Sequence, residues 1–205
     1  MQPIRVVLVE NHELFRAGLH SLLDHEGIDV VGEAGAGSEA VELIVAESPD
    51  VVVADVALPG RSGIEVARET RDRSPGSRVL ILSISEYEGD IADAFAAGAS
   101  GYLLKDSAVE EIADGIRAAS RGEPALSRRI ASRVLERLPP EPAAGDPGDP
   151  GEAGAIARER RILELLAAGR EARSAAGELG LPVGAVAADL ARALARIPTA
   201  SSPER

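Results

Sequence analysis

The sequence predicts an α/β protein with a doubly wound parallel sheet, followed by a small all-α domain. Up to Gly122, apolar runs of strand length alternate with apolar residues at helical spacing, and this unit occurs five times. Beyond Gly122 the alternation stops and only helical spacing remains. Because strands that alternate with helices form parallel sheets with right-handed crossovers, five units predict five parallel strands with helices on both faces.

Short apolar runs define the strands. The run from Val51 to Ala54 has no polar alternation, which is typical of a strand buried on both faces. The five predicted strands are residues 4–10, 28–34, 50–55, 78–84 and 102–104. The helices that follow them are predicted at 14–23, 39–45, 62–73, 87–97 and 107–120, the last with Ser107 as its cap.

The rest of the chain divides by composition. Residues 123–138 connect the two domains, with a helix from Leu126 to Leu138. Residues 139–154 are rich in Pro, Gly, Ala and acidic residues, which indicates a flexible linker because little surface can be buried. The second domain covers 155–197, with helices at 155–168, 172–180 and 183–197, and a disordered tail is predicted at 198–205.

Composition restricts the class of protein. The 205 residues are 45% hydrophobic and contain no cysteine, so disulfides and thiolate metal sites are excluded and a cytoplasmic protein is expected. No apolar run approaches the ~20 residues that span a bilayer, so no membrane partner is expected. The net charge of −12 is uneven: residues 153–205 carry eight Arg against five Glu and one Asp, a net +2. Only this second domain can approach a polyanion without strong repulsion.

Asp55 is the leading candidate functional residue. It ends the buried third strand, and Pro59-Gly60 follow as a turn, which puts it at the carboxyl edge of the sheet, where open α/β folds bind ligands. The ends of other predicted strands bring further polar side chains to the same edge: Glu10, Asn11, Ser83 and Lys105.

This set of side chains is suited to phosphoryl chemistry. Mg²⁺ takes oxygen ligands in octahedral geometry, and four residues can supply them: Glu10, Asn11, Asp55 and, through its backbone carbonyl, Ala57. Asp55 can act as a nucleophile toward a phosphoryl group, while Lys105 neutralises charge on the phosphoryl oxygens. Ser83 can donate a hydrogen bond to the same group.

Four motifs in order resemble the receiver domain of bacterial response regulators, over residues 1–122. They are Val-Leu-Val-Glu-Asn-His, Ala-Asp-Val-Ala-Leu-Pro-Gly-Arg-Ser-Gly, Ile-Leu-Ser and Gly-Ala-Ser-Gly-Tyr-Leu-Leu-Lys-Asp. The resemblance implies a flavodoxin-like sheet of order 2-1-3-4-5 and phosphorylation of Asp55 by a partner sensor histidine kinase. It also implies that Lys105 contacts the phosphoryl group and that Ser83 and Tyr102 form a switch pair. Residues 87–122 would then form a face that pairs with a second copy or another regulator.

One position departs from the family pattern. Receivers usually have two acids after the first strand, whereas this chain has Glu10 followed by Asn11. An amide keeps an oxygen ligand but loses a charge, so Mg²⁺ is expected to bind roughly 10- to 100-fold more weakly. The alternative role for Asn11 is to cap the helix that follows. His12 is interpreted as a surface residue at the start of that helix.

The second domain resembles a LuxR-type helix-turn-helix, but its reading surface departs from the pattern. Where the recognition helix usually shows Lys, Thr or His, this chain has Ala185, Ala187, Ala188 and Asp189. Each lost base contact forfeits about 1–3 kcal/mol of discrimination. Arg192 and Arg196, four residues apart, remain as candidate contacts to the DNA backbone, with a solvated helix face as the alternative.

Two functions therefore compete. The first is a DNA-binding transcriptional regulator switched by phosphorylation of Asp55. The second is an atypical receiver that works as a protein interaction module, as a heterodimer partner or without phosphorylation. An enzyme is not expected, because no second Asp lies two residues beyond Asp55 and the chain has no nucleophile elbow.

Overall fold

The computed structural model describes residues 3–138 and 150–197, and the predicted tail and most of the predicted linker lie outside these ranges. The strands are β1 (Arg5–Val9), β2 (Asp29–Ala34), β3 (Val51–Ala54), β4 (Arg78–Ser83), β5 (Gly101–Leu104) and β6 (Ala125–Leu126). The first six helices are α1 (Glu13–His25), α2 (Gly37–Glu47), α3 (Gly63–Arg73), α4 (Glu88–Ala97), α5 (Val109–Ser120) and α6 (Arg128–Arg137). The last three are α7 (Pro150–Ala167), α8 (Ala172–Leu179) and α9 (Val183–Ala195).

The strands form one parallel sheet in the order β2-β1-β3-β4-β5-β6, which confirms the α/β class and the predicted order of the first five strands. Helices cover both faces. One apolar cluster joins the sheet to α1 and α5, and another joins its other face to α2, α3 and α4. All four residues of β3 are buried, as expected for a central strand covered on both sides.

The prediction of five strands was wrong by one, because β6 extends the sheet. Ala125 and Leu126 pair in parallel with Gly101 and Tyr102 of β5. A Cβ on Gly101 would lie 2.4 Å from the carbonyl oxygen of Ala125, so only glycine allows this approach. Two residues are too few to show strand periodicity, and the sequence therefore gave no sign of β6.

Two helix starts also differ from prediction. Helix α7 begins at Pro150, so the last five residues of the predicted linker belong to a helix. Proline fits the first turn of a helix because it lacks an N–H that would be unpaired there. Helix α5 begins one residue after Ala108, its N-cap, so Ser107 does not cap it.

The C-terminal helices pack against the first domain. Helix α7 packs on α6, and α9 packs on both α7 and α4. The apolar cluster under α2, α3 and α4 continues through Ile130 and Val134 of α6 to Leu163 and Leu190 of the C-terminal helices. Among the residues described, no helix is long and apolar enough to cross a membrane.

Candidate functional site

Backbone hydrogen bonds that continue past the strands bring the predicted site residues to one edge of the sheet. The amide of Asp55 donates to the carbonyl of Val9 at 2.9 Å, and the amide of Lys105 donates to the carbonyl of Ser83 at 2.9 Å. Asp55 is thus held beside the end of β1, and Lys105 beside the end of β4, so both lie at the same edge of the sheet. We call the group formed by Glu10, His12, Asp55 and Lys105 the sheet-edge pocket.

Lys105 bridges the two carboxylates of the sheet-edge pocket. Its Nζ lies 2.6 Å from Glu10 Oε2 and 2.9 Å from Asp55 Oδ2. Both acids are 4% exposed, and Nζ also lies 5.0 Å from the centre of the Phe15 ring. Two carboxylates facing one ammonium leave a net negative charge, which favours a further cation near Asp55 and Glu10.

Glu10 stays ionised because its hydrogen bonds outweigh its burial. Burial alone would raise the pKa of Glu10, but hydrogen bonds from Lys105 and from the backbone and ring of His12 hold it below its ordinary value. Glu10 Oε1 accepts from the backbone N–H of His12 at 2.9 Å and lies 3.0 Å from His12 Nδ1. The carboxylate is therefore fixed on both of its oxygens.

The turn after Asp55 is shaped by a close approach between α3 and the end of β3. A Cβ on Gly63 would lie 2.1 Å from the carbonyl oxygen of Asp55, so a side chain at Gly63 would displace the candidate residue. Helix α3 starts there with a capping box, in which Ser62 and Glu65 exchange side-chain and backbone hydrogen bonds. These features fix the position of the Asp55 backbone.

Ser83 and Tyr102 are linked through the loop that follows β4. Ser83 Oγ accepts from the amide of Ser85 at 3.0 Å, and the Tyr102 hydroxyl donates to the carbonyl of Ser85 at 2.9 Å. Burial raises the pKa of Tyr102 to about 12, so the phenol stays protonated and acts as a donor. Because both side chains bond to Ser85, a change in the hydrogen bonding of Ser83 affects the residue that accepts the Tyr102 hydrogen bond.

The donor set fits a divalent cation, and it contains Glu10 and Asp55 of the predicted ligands. Ligand atoms of Glu10, His12 and Asp55 lie within 4.8 Å of one another. Asn11 and Ala57 are exposed beside them. The alternative role of Asn11 as a helix cap was wrong, because the N-cap of α1 is His12, whose side chain makes no capping hydrogen bond.

The two arginines that were predicted to contact DNA, Arg192 of α9 and Arg196 directly after it, both contact a buried acid. Glu159 is fully buried, and its Oε2 lies 2.9 Å from Arg196 Nε while its Oε1 lies 3.3 Å from Arg192 Nε. Asp189 is also buried and pairs with Arg192 and, at 2.7 Å, with Arg158. We call these five residues the helix cluster. Its members come from α7 and α9, so it holds the two helices together.

Sequence reasoning missed the roles of His12, Glu159 and Arg158. His12 was interpreted as a surface residue, and its side chain is 70% exposed, but its position two residues after Glu10 lets it contact that carboxylate. Glu159 lies 33 and 37 residues before its two arginine partners, so spacing gives no sign of the contact. The usable signal was helical spacing: Glu159 lies three residues from Ile156 and from Ile162, on the apolar face of α7, and an acid buried there needs a cation nearby.

A family profile matches the first domain, and its description is "Response regulator receiver domain", with residues 6–117 matched. The matched segment contains Glu10, His12, Asp55 and Lys105, so all of the sheet-edge pocket lies inside it. The matched range ends within α5, before β6 begins.

Relatives extend the similarity through the C-terminal helices. The chain is 36% identical over 195 residues to the transcriptional regulatory protein LiaR of Bacillus subtilis (strain 168), covering 95% of this chain and 90% of LiaR. It is also 36% identical to the DNA-binding transcriptional activator DevR/DosR of Mycobacterium tuberculosis (strain ATCC 25618 / H37Rv), covering 95% of this chain and 88% of that protein. A solved structure, response regulator ChrA of a heme-sensing two-component system, is 34% identical, with a TM-score of 0.57 over 94% of this chain and 89% of ChrA.

Proposed function

The chain belongs to the response regulators of two-component systems, and from this premise we propose that Asp55 accepts a phosphoryl group from a partner sensor histidine kinase. We further propose that the phosphorylated protein regulates transcription through its C-terminal helices. The names of LiaR and DevR/DosR describe those two relatives as transcriptional regulators, which supports this role.

One observation carries the proposal: Asp55 is buried at the carboxyl edge of the sheet, 2.9 Å from Lys105 Nζ. In the transfer, a carboxylate oxygen of Asp55 forms a bond to phosphorus as the P–N bond of the donor phosphohistidine breaks. Lys105 is placed to neutralise charge on the phosphoryl oxygens. A divalent cation held by Glu10 and Asp55 would neutralise further charge on those oxygens when bound.

The route from Asp55 to the C-terminal helices runs through the loop after β4. Ser83 and Tyr102 both bond to Ser85 in that loop, which leads directly into α4. Helix α4 packs against α9. Ser83 Oγ accepts from the Ser85 amide, so its own hydrogen can be donated to an incoming phosphoryl group. Rotation of the Ser83 side chain toward that group would break the bond from the Ser85 amide, and the start of α4 would then move against α9. The switch pair Ser83 and Tyr102 thus couples the two domains.

Labelling by a small phosphodonor tests the acceptor. The full chain is incubated with acetyl phosphate and Mg²⁺ or Mn²⁺, and acyl phosphate is measured by phosphate-affinity electrophoresis and intact mass. We expect one phosphoryl group on the wild type and none on Asp55→Asn. Asp50→Asn is the matched control, because Asp50 precedes the same strand at its opposite end and is exposed. Labelling of Asp55→Asn, or no labelling of the wild type, would contradict the proposal.

A second function is favoured by the helix cluster. Arg192 and Arg196 both contact buried Glu159, and Arg192 also contacts Asp189, so their charge is partly neutralised inside the protein. Alanine fills the neighbouring positions Ala187, Ala188 and Ala191, which offer no hydrogen bond to a base. These features support an interaction module that pairs with a second copy or another regulator and reads little DNA sequence.

The face predicted for such pairing, residues 87–122, is partly covered by the same chain. Strand β6 lies on the outer edge of β5, and α9 lies on α4. Pairing through this face would therefore need α9 to leave α4. Phosphorylation of Asp55 would act on α4 through Ser83 and so promote the separation of α9 from α4. The same event would then expose both the pairing face and the C-terminal helices.

A gel-shift series over salt concentration distinguishes the two functions. Sequence-specific binding predicts that a preferred duplex keeps its advantage over a random duplex at near-physiological salt, with and without phosphodonor. The interaction module predicts equal, weak and strongly salt-dependent binding to both duplexes, together with a change in mass by light scattering after phosphorylation.

A further inference from the structure

We propose that His12 is a ligand of the divalent cation bound by Glu10 and Asp55, so that the sheet-edge pocket prefers Mn²⁺, Co²⁺ or Zn²⁺ to Mg²⁺. The inference rests on the proposed function in one respect, since it concerns the metal that would assist phosphorylation of Asp55. It differs from the expectation drawn from sequence, in which Asn11 supplied the third side-chain ligand.

The geometry places an imidazole nitrogen where a ligand is needed. His12 Nδ1 lies 3.0 Å from Glu10 Oε1, and a ligand atom of Asp55 lies within 4.8 Å of both. Adjacent ligands of an octahedral ion with bonds of ~2.1 Å are about 3.0 Å apart. Glu10 Oε1 and His12 Nδ1 already have the separation of two neighbouring ligands on one ion.

The two groups are also held in place before a cation arrives. The backbone N–H of His12 donates to Glu10 Oε1 at 2.9 Å, which fixes the position of the residue relative to the carboxylate. The His12 ring is 70% exposed, so a hydrated cation reaches Nδ1 without opening the core, while Glu10 and Asp55 form the buried side of the site. In the metal-free protein Nδ1 carries the hydrogen that Glu10 accepts, and a bound cation would take its place while the neutral ring keeps its hydrogen on Nε2.

Ligand chemistry then decides which ion is preferred. Two carboxylates suit Mg²⁺ and Mn²⁺, but an imidazole favours the later transition metals, and the affinity of a mixed N/O site rises from Mn²⁺ to Cu²⁺. Replacing the second acid of the usual receiver pattern with Asn11 removes a charged oxygen ligand, which weakens Mg²⁺ most. His12 compensates only for ions that accept nitrogen.

Metal binding by the full chain tests the role of His12. Isothermal titration with Co²⁺ and with Mg²⁺ is performed on the wild type, His12→Ala and His25→Ala, and the absorption of bound Co²⁺ reports nitrogen ligation. His25 is the matched control, because it is exposed at the other end of α1 and its Nδ1 contacts the carbonyl of Ser21. Circular dichroism establishes that each variant is folded.

We expect the wild type to bind Co²⁺ more tightly than Mg²⁺. His12→Ala should weaken Co²⁺ binding by about tenfold or more and change Mg²⁺ binding by less than about threefold, while His25→Ala changes neither. Asn11→Asp should strengthen Mg²⁺ binding and so reduce the preference for Co²⁺ over Mg²⁺. Equal Co²⁺ affinities of wild type and His12→Ala would overturn the inference, as would an unchanged Co²⁺ spectrum.

The failure of the inference about His12 can be distinguished from the failure of the proposed function of Asp55. If His12→Ala weakens Co²⁺ binding but Asp55 is not labelled by acetyl phosphate, the metal site stands and the phosphoryl acceptor fails. If Asp55 is labelled equally well in wild type and His12→Ala with every metal, and Co²⁺ binding is also unchanged, the acceptor stands and the role of His12 fails.

Discussion

The sheet-edge pocket and the helix cluster each bury two carboxylates, but they balance the charges differently. Glu10 and Asp55 share a single ammonium, that of Lys105. Glu159 and Asp189 share three guanidinium groups, those of Arg158 on α7, of Arg192 on α9 and of Arg196 directly after α9. The pocket thus has a net negative charge, whereas the helix cluster has a net positive one.

The difference indicates which cluster takes a ligand. A buried acid without enough positive charge is stabilised by an added cation, and the sheet-edge pocket lies where the chain turns away from the sheet. The acids of the helix cluster already have more cations than they need, and they lie between two helices. The first arrangement is suited to chemistry, and the second to holding α7 and α9 together.

Removing cations from the helix cluster should have the largest effect on stability. The double substitution Arg192→Ala and Arg196→Ala takes away two cations that contact buried Glu159. We expect the free energy of unfolding to fall by about 3 kcal/mol, at the lower end for buried pairs because both arginines are partly exposed. Urea unfolding measures this, with Arg161→Ala as the control for an exposed pair. Equal stabilities of the two variants would contradict a holding role.

Removing the cation from the sheet-edge pocket should have an effect of comparable size, but one that a ligand reverses. Lys105→Met leaves buried Glu10 and Asp55 without the ammonium, which should reduce the free energy of unfolding by about 3 kcal/mol. Adding Mn²⁺ should restore the lost stability through binding to the folded state. Thermal unfolding with and without Mn²⁺ measures both steps. If Mn²⁺ rescues the double arginine variant as well, the contrast between the two clusters is wrong.

The smallest expected effect concerns Glu123, an acid outside both clusters that links the two domains, and this effect depends on pH. Hydrogen bonds from Arg121 and then from Arg173 of α8 hold the pKa of Glu123 below its ordinary value. The contribution of Glu123 to the free energy of unfolding is therefore complete above its unfolded pKa of ~4.3, and it is lost as pH falls through the lower pKa of the folded state.

Glu123→Gln tests this contribution. At pH 7 the variant should be less stable by about 1 kcal/mol, because the arginines are largely exposed to solvent. The difference from wild type should shrink as pH falls below ~4.3, where the unfolded chain takes up a proton first, and should vanish below the lower pKa that Glu123 has in the folded protein. A urea unfolding series from pH 7 to pH 3 measures the difference. If the difference in the free energy of unfolding stays constant or grows as the pH falls, the charge of Glu123 is not its cause.

The fold could be predicted from the sequence where a signal is local. The unbroken apolar run of β3 and the Pro59-Gly60 turn after it were enough to put Asp55 at the sheet edge, and the structure has it there. Strand β6 has only two residues and depends on the absence of a side chain at Gly101, which is a contact between distant segments. No periodicity of the sequence records such a contact.

The site was predictable to the same extent. The bridging position of Lys105 follows from parallel strands that end at one edge, so its nearness to Asp55 was expected. The contacts of Arg196 with Glu159 depend on how α7 crosses α9, which spacing along the chain does not determine. His12 was assigned to the surface, and its ring is exposed, but its 3.0 Å approach to Glu10 becomes visible only in the turn between β1 and α1.

The contrast between the two clusters assigns a bound cation to the sheet-edge pocket and none to the helix cluster. Paramagnetic line broadening by substoichiometric Mn²⁺ in the ¹⁵N-labelled full chain distinguishes the two places. We expect broadening to be centred on residues 10–12 and 55–57 and to leave the amides of Arg158, Glu159 and Asp189 sharp. Broadening centred on the helix cluster, or on Asp24 and Glu33, which contact His20 elsewhere on the surface, would show that the cation binds outside the sheet-edge pocket.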